Sequence, residues 1–215
     1  GKAQGKTAGR RREAAQATGL MALRIIGGEH RSRLLRTPGG RGTRPTRSLV
    51  REAAFNMIQG RVAGGRVLDL FAGSGAMGFE ALSRGAAYAV FADRDREAAE
   101  AITANAKALR LEGRCECLRM DWRSAVLALN GAASRFDLVF LDPPYSQALG
   151  EVLSALAASG LLAREGVIVA EHASAMRPET VGGLRAIRTR AYGESALTVY
   201  ELEEMFDEGD FPGQL

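Results

Sequence analysis

The chain has 215 residues, enough for one domain with room for added elements at about 150 residues per domain. It is 46% hydrophobic and 25% charged, the balance of an ordinary globular protein, which excludes a wholly disordered chain, a collagen-like chain and a disulfide scaffold. The net charge of +4 is unevenly spread: residues 1–51 hold 13 Lys and Arg against Glu13 and Glu29, and residues 52–215 carry a net charge of −7. A basic arm on an acidic body predicts a polyanionic partner for the arm.

Residues 1–20 have little apolar content and no period and read as a basic flexible extension, with Met21 a candidate internal start. Residues 21–45 tighten into a pattern. Leu23, Ile25 and Ile26 precede Gly27-Gly28, and His30 to Leu35 follow, which predicts a short hairpin studded with Arg24, Arg31, Arg33 and Arg36 and a loop holding Arg44. After Pro45, the spacing of Val50, Ala53, Ala54, Met57 and Ile58 predicts a helix from about Thr46 to Gln59. Phe55 lies off its apolar stripe, with packing under the hairpin and contact with a cofactor both open.

From Arg66 onward short apolar runs alternate with helical stretches. Strands are predicted at Val67–Phe71, Ala87–Ala92, Cys115–Leu118, Phe136–Leu141 and Gly166–Ala170, with helices at about Ala76–Ser83, Arg96–Leu111, Arg123–Leu129 and Gln147–Ala158. That alternation means an α/β fold with a parallel sheet covered on both faces. Leu184–Ala191 and Ala196–Leu202 then flank Tyr192-Gly193-Glu194-Ser195 with no helix between them. They must form a hairpin, which places an antiparallel strand in an otherwise parallel sheet. The acidic tail, residues 206–215, reads as frayed.

The longest uncharged run, Val152 to Ala163, is twelve residues, well short of the roughly 20 a membrane helix needs. No secretory signal is evident. Cys115 and Cys117 stand too close to close a useful loop, so a reduced, cytoplasmic protein is expected. Two alternating cysteines on one strand share a face and read as core packing. With only His30 and His172 available elsewhere, no metal site is expected. His172 follows the fifth strand and reads as a helper or structural histidine.

Two motifs carry chemistry. The first strand runs into Asp69-Leu70-Phe71-Ala72-Gly73-Ser74-Gly75-Ala76-Met77-Gly78, with Asp93 ending the next strand. Glycines let a backbone turn tightly and approach a ligand, and an acid at the end of the second strand accepts two ribose hydroxyls. A nicotinamide or flavin enzyme is the obvious competitor, since its pyrophosphate rests on the helix N-terminus. Asp69 argues otherwise, because a carboxylate in that crevice repels a pyrophosphate and suits the sulfonium and ammonium of S-adenosylmethionine (SAM). The fourth strand empties into Asp142-Pro143-Pro144-Tyr145. Two prolines stiffen the backbone and remove two N–H donors. A rigid set of acceptors, the Asp142 carboxylate and the Pro143 carbonyl, is left beside the flat face of Tyr145. Such a set holds the protons of an exocyclic amine while its lone pair faces an electrophilic methyl and Tyr145 stacks on the ring.

The chain resembles the SAM-dependent methyltransferases of exocyclic amines, and more closely the bacterial RsmD family of 16S rRNA guanine-N2 methyltransferases. The resemblance runs from about Leu23 to Glu203. It rests on Arg24-Ile25-Ile26-Gly27-Gly28, Arg44-Pro45-Thr46, Arg51-Glu52-Ala53-Ala54-Phe55-Asn56, the glycine loop from Leu68 to Gly75, and Asp142–Tyr145. At Arg47-Ser48-Leu49 the chain departs from the family's polar Thr-Asp-Arg-like stretch.

The resemblance implies a Rossmann-like methyltransferase fold over residues 46–205, seven-stranded with the last strand antiparallel. It implies a SAM site at Asp69, Phe71, Ala72, Gly73, Ser74, Gly75, Asp93, Asp121 and Trp122, with Asp93 on the ribose and Asp121-Trp122 at the adenine. It also implies that Asp142, Pro143, Pro144 and Tyr145 hold the guanine amine. The substrate would be 16S rRNA in the small ribosomal subunit, gripped by Arg24, Arg31, Arg33, Arg36 and Arg44, and the enzyme a monomer. A DNA adenine-N6 methyltransferase and a non-catalytic nucleotide- or RNA-binding module are the alternatives.

Overall fold

The computed structural model describes residues 22–40, 45–144, 149–176 and 180–203. Arg44 and Tyr145, the extension 1–20 and the acidic tail 206–215 lie outside the described residues. Helix α1 (Pro45–Met57) precedes a repeating strand–helix unit: β1 (Arg66–Leu70), α2 (Ala76–Ser83), β2 (Tyr88–Ala92), α3 (Arg96–Leu109), β3 (Cys115–Leu118), α4 (Trp122–Gly131), β4 (Phe136–Leu141), α5 (Leu149–Ser159) and β5 (Leu162–Ala173). Strands β6 (Leu184–Tyr192) and β7 (Ser195–Leu202) complete the described elements.

The seven strands form one sheet in the order β3-β2-β1-β4-β5-β7-β6. β1 to β5 are parallel, and β7 runs antiparallel to both β5 and β6. The chain winds outward from β1 to β3 and then crosses back to β4 beside β1. A crevice therefore opens at the carboxyl ends of β1 and β4, where ligands bind in such sheets.

The strands bury alternate residues on opposite faces, as their period of two requires. Val67, Phe91, Leu138, Phe140, Val167 and Val169 pack with α1, α2 and α3. Leu68, Leu70, Val90, Val139, Leu141 and Ile168 pack with α4 and α5. Burial on both faces explains why the strands read as continuous apolar runs.

Of the predicted boundaries that shift, two have clear local reasons. α3 ends at Leu109 and not Leu111, because Arg110 takes a left-handed φ of 59° and caps the helix. β5 is longer than predicted, from Leu162 to Ala173 and not Gly166 to Ala170. Its first residue pairs with Phe136 of β4, and its end, through Ala173, pairs with β7.

The basic N-terminal segment is an irregular hairpin. A single antiparallel bridge joins Arg24 and Leu34, with backbone N–H groups of Ile25 and Leu35 donating to Arg33 and Leu23 at 3.0 and 2.9 Å. Leu23, Ile25 and Leu35 are buried in the same core as α1, α2 and α3, so the segment is docked from Leu23 to Leu35. Phe55 is buried within that core, its ring 5.4 Å from Phe140. It packs beneath the hairpin and lines neither of the cavities described below.

Candidate active site

The loop from Phe71 to Gly75 leaves β1 through strained backbone. Phe71 has φ +71°, a rare conformation for an aromatic residue. The N–H groups of Phe71 and Ala72 both donate to the Ala92 carbonyl, at 3.0 and 3.1 Å. At Gly75 a Cβ would meet the Phe79 and Phe91 rings at 2.8 and 3.0 Å, and at Gly78 it would meet Phe91 at 2.3 Å. These glycines let α2 sit hard against β2, and so set where the loop enters the crevice.

Carboxylates fix that loop. Asp93 accepts the N–H of Gly73 at 2.8 Å and that of Asp95 at 2.9 Å. Asp69, 4% exposed, accepts the Gly78 N–H at 3.0 Å. Burial pushes the Asp69 carboxyl up to about 7 against the pull of that hydrogen bond, and the nearby Asp142 and Asp93 add to the rise. Asn105 ties the loop from its other side: its amide donates to the Ser74 carbonyl at 3.0 Å and to the Arg36 carbonyl at 2.9 Å, and accepts the Arg36 N–H at 2.6 Å.

Two adjoining cavities occupy the crevice. The larger is a cleft of about 1090 Å³ lined by Phe71, Asp93, Asp121, Trp122, Asp142, Pro143 and Pro144, among others. The smaller, about 140 Å³, is walled by Asp69, Phe71 and Ala72–Ser74 of the loop and by Leu23, Val50 and Arg51. Phe71, Asp142, Glu171 and Val50 line both. The structure therefore brings together the described residues of the two motifs, with Gly75 just behind the loop as its helix cap.

Asp121 serves first as the N-cap of α4. It accepts the N–H groups of Arg123 and Ser124 at 3.0 and 3.2 Å and the Ser124 hydroxyl at 2.7 Å, and these bonds hold its carboxyl below the ordinary range. Trp122 is 6% exposed, with Arg123 stacked 4.4 Å above its ring. Its indole Nε1 is buried without a described acceptor, an orphan donor at the cleft wall of the kind a ligand satisfies. His172 is held through both ring nitrogens, by the Ala173 carbonyl at 2.9 Å and by Thr198 Oγ1 at 2.8 Å. Burial raises Cys117 and pushes Cys115 up to about 11, so both thiols are poor nucleophiles and pack against the core.

This lining fits SAM better than a dinucleotide. Asp69, Asp93, Asp121, Asp142 and Glu171 border the two cavities, against Arg94 and Arg123 as cations of the larger and Arg51, paired with Glu80, of the smaller. Such a field suits a sulfonium and an ammonium and opposes a pyrophosphate. Among the described residues no group of His, Cys, Asp or Glu is arranged to hold a metal, and no helix is long and apolar enough to cross a membrane.

The predicted cationic residues stand apart from the cleft. Arg24, Arg31, Arg33 and Arg36 are all exposed on a segment held by a residue the motifs did not single out. Glu80, fully buried in α2, accepts the N–H groups of Ile26 and Gly27 at 2.7 and 2.8 Å and the Arg84 Nε at 2.8 Å. Arg51 lies 3.6 Å from its other oxygen and donates to the Arg24 carbonyl at 2.6 Å. Gly28 completes the dock: at φ +77° its missing Cβ would stand 1.8 Å from the Ser83 carbonyl. The Arg-Ile-Ile-Gly-Gly and Arg51-Glu52 motifs thus explain one another as two sides of one joint. The available signal for Glu80 was an acid inside an otherwise apolar helix, Ala76–Ser83.

The chain matches the family described as conserved hypothetical protein 95 over residues 23–201. It is 42% identical over 184 residues to the protein YlbH of Bacillus subtilis, covering 83% of this chain and 98% of that protein. It is 34% identical over 194 residues to ribosomal RNA small subunit methyltransferase D of Escherichia coli K12, covering 86% and 93%. Among solved structures, the yhhF protein of Escherichia coli superposes with a TM-score of 0.74 at 33% identity, covering 86% of this chain and all of that one. A conserved hypothetical protein of Streptococcus pyogenes does so at 0.66 and 40% identity, covering 72% and 95%. With this sheet, this glycine loop and this cleft, the chain belongs to the conserved hypothetical protein 95 family, the RsmD family of methyltransferases.

Proposed function

We propose that the protein transfers a methyl group from SAM to the exocyclic N2 amine of a guanine in 16S rRNA of the small ribosomal subunit, acting as a cytoplasmic monomer. The observation that carries this reading is the position of Asp142. It lines both the cavity walled by the glycine loop and the open cleft, at the junction where a methyl donor and a planar base meet. The name of the Escherichia coli relative supports the substrate class.

In this reading Asp93 holds the ribose hydroxyls, Trp122 walls the adenine with its indole N–H as donor, and Asp69 faces the cationic end. SAM supplies an electrophilic methyl on sulfonium, with the N–C bond forming as the C–S bond breaks and its electron pair passes to sulfur. The Asp142 carboxylate and the Pro143 carbonyl accept the two N–H bonds of the amine, which fixes the nitrogen and turns its lone pair toward the methyl. Pro144 keeps that turn rigid, and Tyr145 stacks on the base. The methylated nitrogen is strongly acidic, so an exposed carboxylate such as Asp142 takes its proton and passes it to water.

The test is transfer of labelled methyl to small ribosomal subunits from a strain lacking the endogenous activity, beside naked 16S rRNA and adenine-containing duplex DNA, with nucleoside analysis. N2-methylguanosine in rRNA is expected, and Asp142→Ala should slow it by at least about 100-fold through lost positioning. Methyladenine in DNA would point instead to an adenine-N6 enzyme. No transfer by the wild type, with ligand bound, would point to a non-catalytic module.

A further inference from the structure

Asp142 has a neighbour that neither motif includes. The register pairing Leu141 of β4 with Ala170 of β5 sets the next residues, Asp142 and Glu171, side by side at the carboxyl end of the sheet. Strand alternation directs both toward the face of Phe140 and Val169, the face that also carries Asp69. Asp142 and Glu171 line both cavities.

Glu171 differs from the acids of the cleft that the fold itself engages. Asp93 is engaged by the Gly73 and Asp95 amides and Asp121 by the cap of α4. The next residue, His172, has both ring nitrogens occupied. Glu171 is only partly exposed, its backbone is paired opposite Leu197, and its carboxylate meets no donor or cation among the described residues. A carboxylate that the fold leaves without a donor is available to a ligand's N–H, and this one faces the space where a base must enter.

Guanine and adenine differ at that point. The Watson–Crick edge of guanine offers adjacent donors, N1–H and the N2 amine, whereas adenine sets a donor amine beside an acceptor, N1. Two neighbouring carboxylates match the first edge. Against the second, one of them meets a lone pair. We propose that Glu171 selects the base by accepting guanine N1–H while Asp142 and the Pro143 carbonyl hold the N2 amine. This inference rests on the guanine-N2 reading above and adds the residue that makes the site specific for it. Sites that hydrogen-bond a substrate group reject analogues lacking it far more strongly than apolar pockets do, because the protein's own polar group is left unpaired.

The test uses small subunits reassembled from 16S rRNA carrying either guanine or 2-aminopurine at the mapped target. 2-Aminopurine keeps the N2 amine but presents an acceptor at N1. The wild type should methylate it at least about 100-fold more slowly than guanine, in kcat/KM. Glu171→Gln can turn its amide to donate to N1, so the ratio should fall to within about tenfold, mainly through slower reaction with guanine. Glu171→Ala should also lose most of the discrimination, without the gain toward 2-aminopurine. Binding of S-adenosylhomocysteine, measured by calorimetry, should stay within about twofold of the wild type in both variants and also reports that they are folded.

An unchanged ratio in both variants, with N2-methylguanosine still formed, would overturn the role of Glu171 and leave the guanine-N2 reading standing. So would a loss of S-adenosylhomocysteine affinity beyond about tenfold, which would put Glu171 on the methyl donor. Absence of N2-methylguanosine from the wild type would instead remove the reading on which the inference rests.

Discussion

Replacing Glu80 with Gln tests whether the basic hairpin is held by one buried charge. Glu80 Oε1 receives Gly27 N–H and Arg84 Nε, and Oε2 receives Ile26 N–H and faces Arg51 Nε at 3.6 Å. A glutamine keeps the shape but makes one of these oxygens an NH2 group, which turns a donor toward the donors on that side. It also strips the counter-charge from Arg51, which is 4% exposed and whose pKa burial already lowers against the pull of Glu80. Breaking one side of a buried ion pair costs about 3–5 kcal/mol, because the remaining charge has no partner. In a chain of about 200 residues that lowers the melting midpoint by about 6–20 °C. Urea denaturation gives the first number and scanning calorimetry the second. Amide hydrogen exchange at Ile26 and Gly27 should accelerate together with Arg24, whose carbonyl Arg51 holds at 2.6 Å. Pairing Glu80→Gln with Arg51→Met should recover part of the loss, since the orphan charge is gone. A single variant within about 0.5 kcal/mol of the wild type, with unchanged exchange at Ile26 and Gly27, would refute the joint; surface changes are the ones that cost so little.

Two further predictions follow from charges at either end of the site. Asp69 holds its proton to about pH 7 in the fold against an ordinary 3.8, so between those values the native state binds the extra proton, and stability falls as pH rises through the window. The loss approaches about 4 kcal/mol by pH 8 at 1.36 kcal/mol per unit; Asp69→Asn should flatten it in pH-dependent urea denaturation, and an unchanged slope would reject the assignment. At the other end, neutralising Arg24, Arg31 and Arg33 should weaken binding to 16S rRNA and lower the slope of log K against log salt by up to about one per lost phosphate contact. Calorimetric affinity for S-adenosylhomocysteine should stay the same, and a parallel fall would show that these arginines serve the cleft and not the RNA.

The central sheet was readable because β1, β2, β4 and β5 are buried on both faces and their apolar runs alternate with helical stretches. Cys115–Leu118 and Phe136–Leu141 have their observed bounds, and α2 begins where the glycine loop ends. The antiparallel β7 followed from a purely geometric argument: two strands joined by a tight turn have no helix with which to cross over. The site's motifs were legible for a related reason, since glycines and prolines carry their backbone consequences in their own covalent structure. Glu80, Asn105 and Glu171 were not legible, because an acid or amide acquires a role only from what the fold places opposite it. Asn105 is one polar residue of a helix until Arg36 and Ser74 arrive from 69 and 31 residues away.

The same distinction changes how the basic segment is understood. Its composition separates residues 21–45 from the body, yet the structure joins the described part, residues 22–40, to it where chemistry is expected. Leu23 lines the small cavity beside Asp69 and the glycine loop. Asn105 binds the Arg36 backbone and the Ser74 carbonyl with one amide. A hairpin on a mobile linker would bring polyanion to the protein without orienting it. Docked through Glu80, Arg51 and Asn105, the exposed guanidinium groups of Arg24, Arg31, Arg33 and Arg36 keep a fixed bearing on the cleft. Under the proposed function the division of charge along the chain has a mechanical meaning: a phosphate backbone held by the cationic segment would lie at a set distance from the acidic pocket, and that distance would restrict which bases along a bound strand reach Asp142.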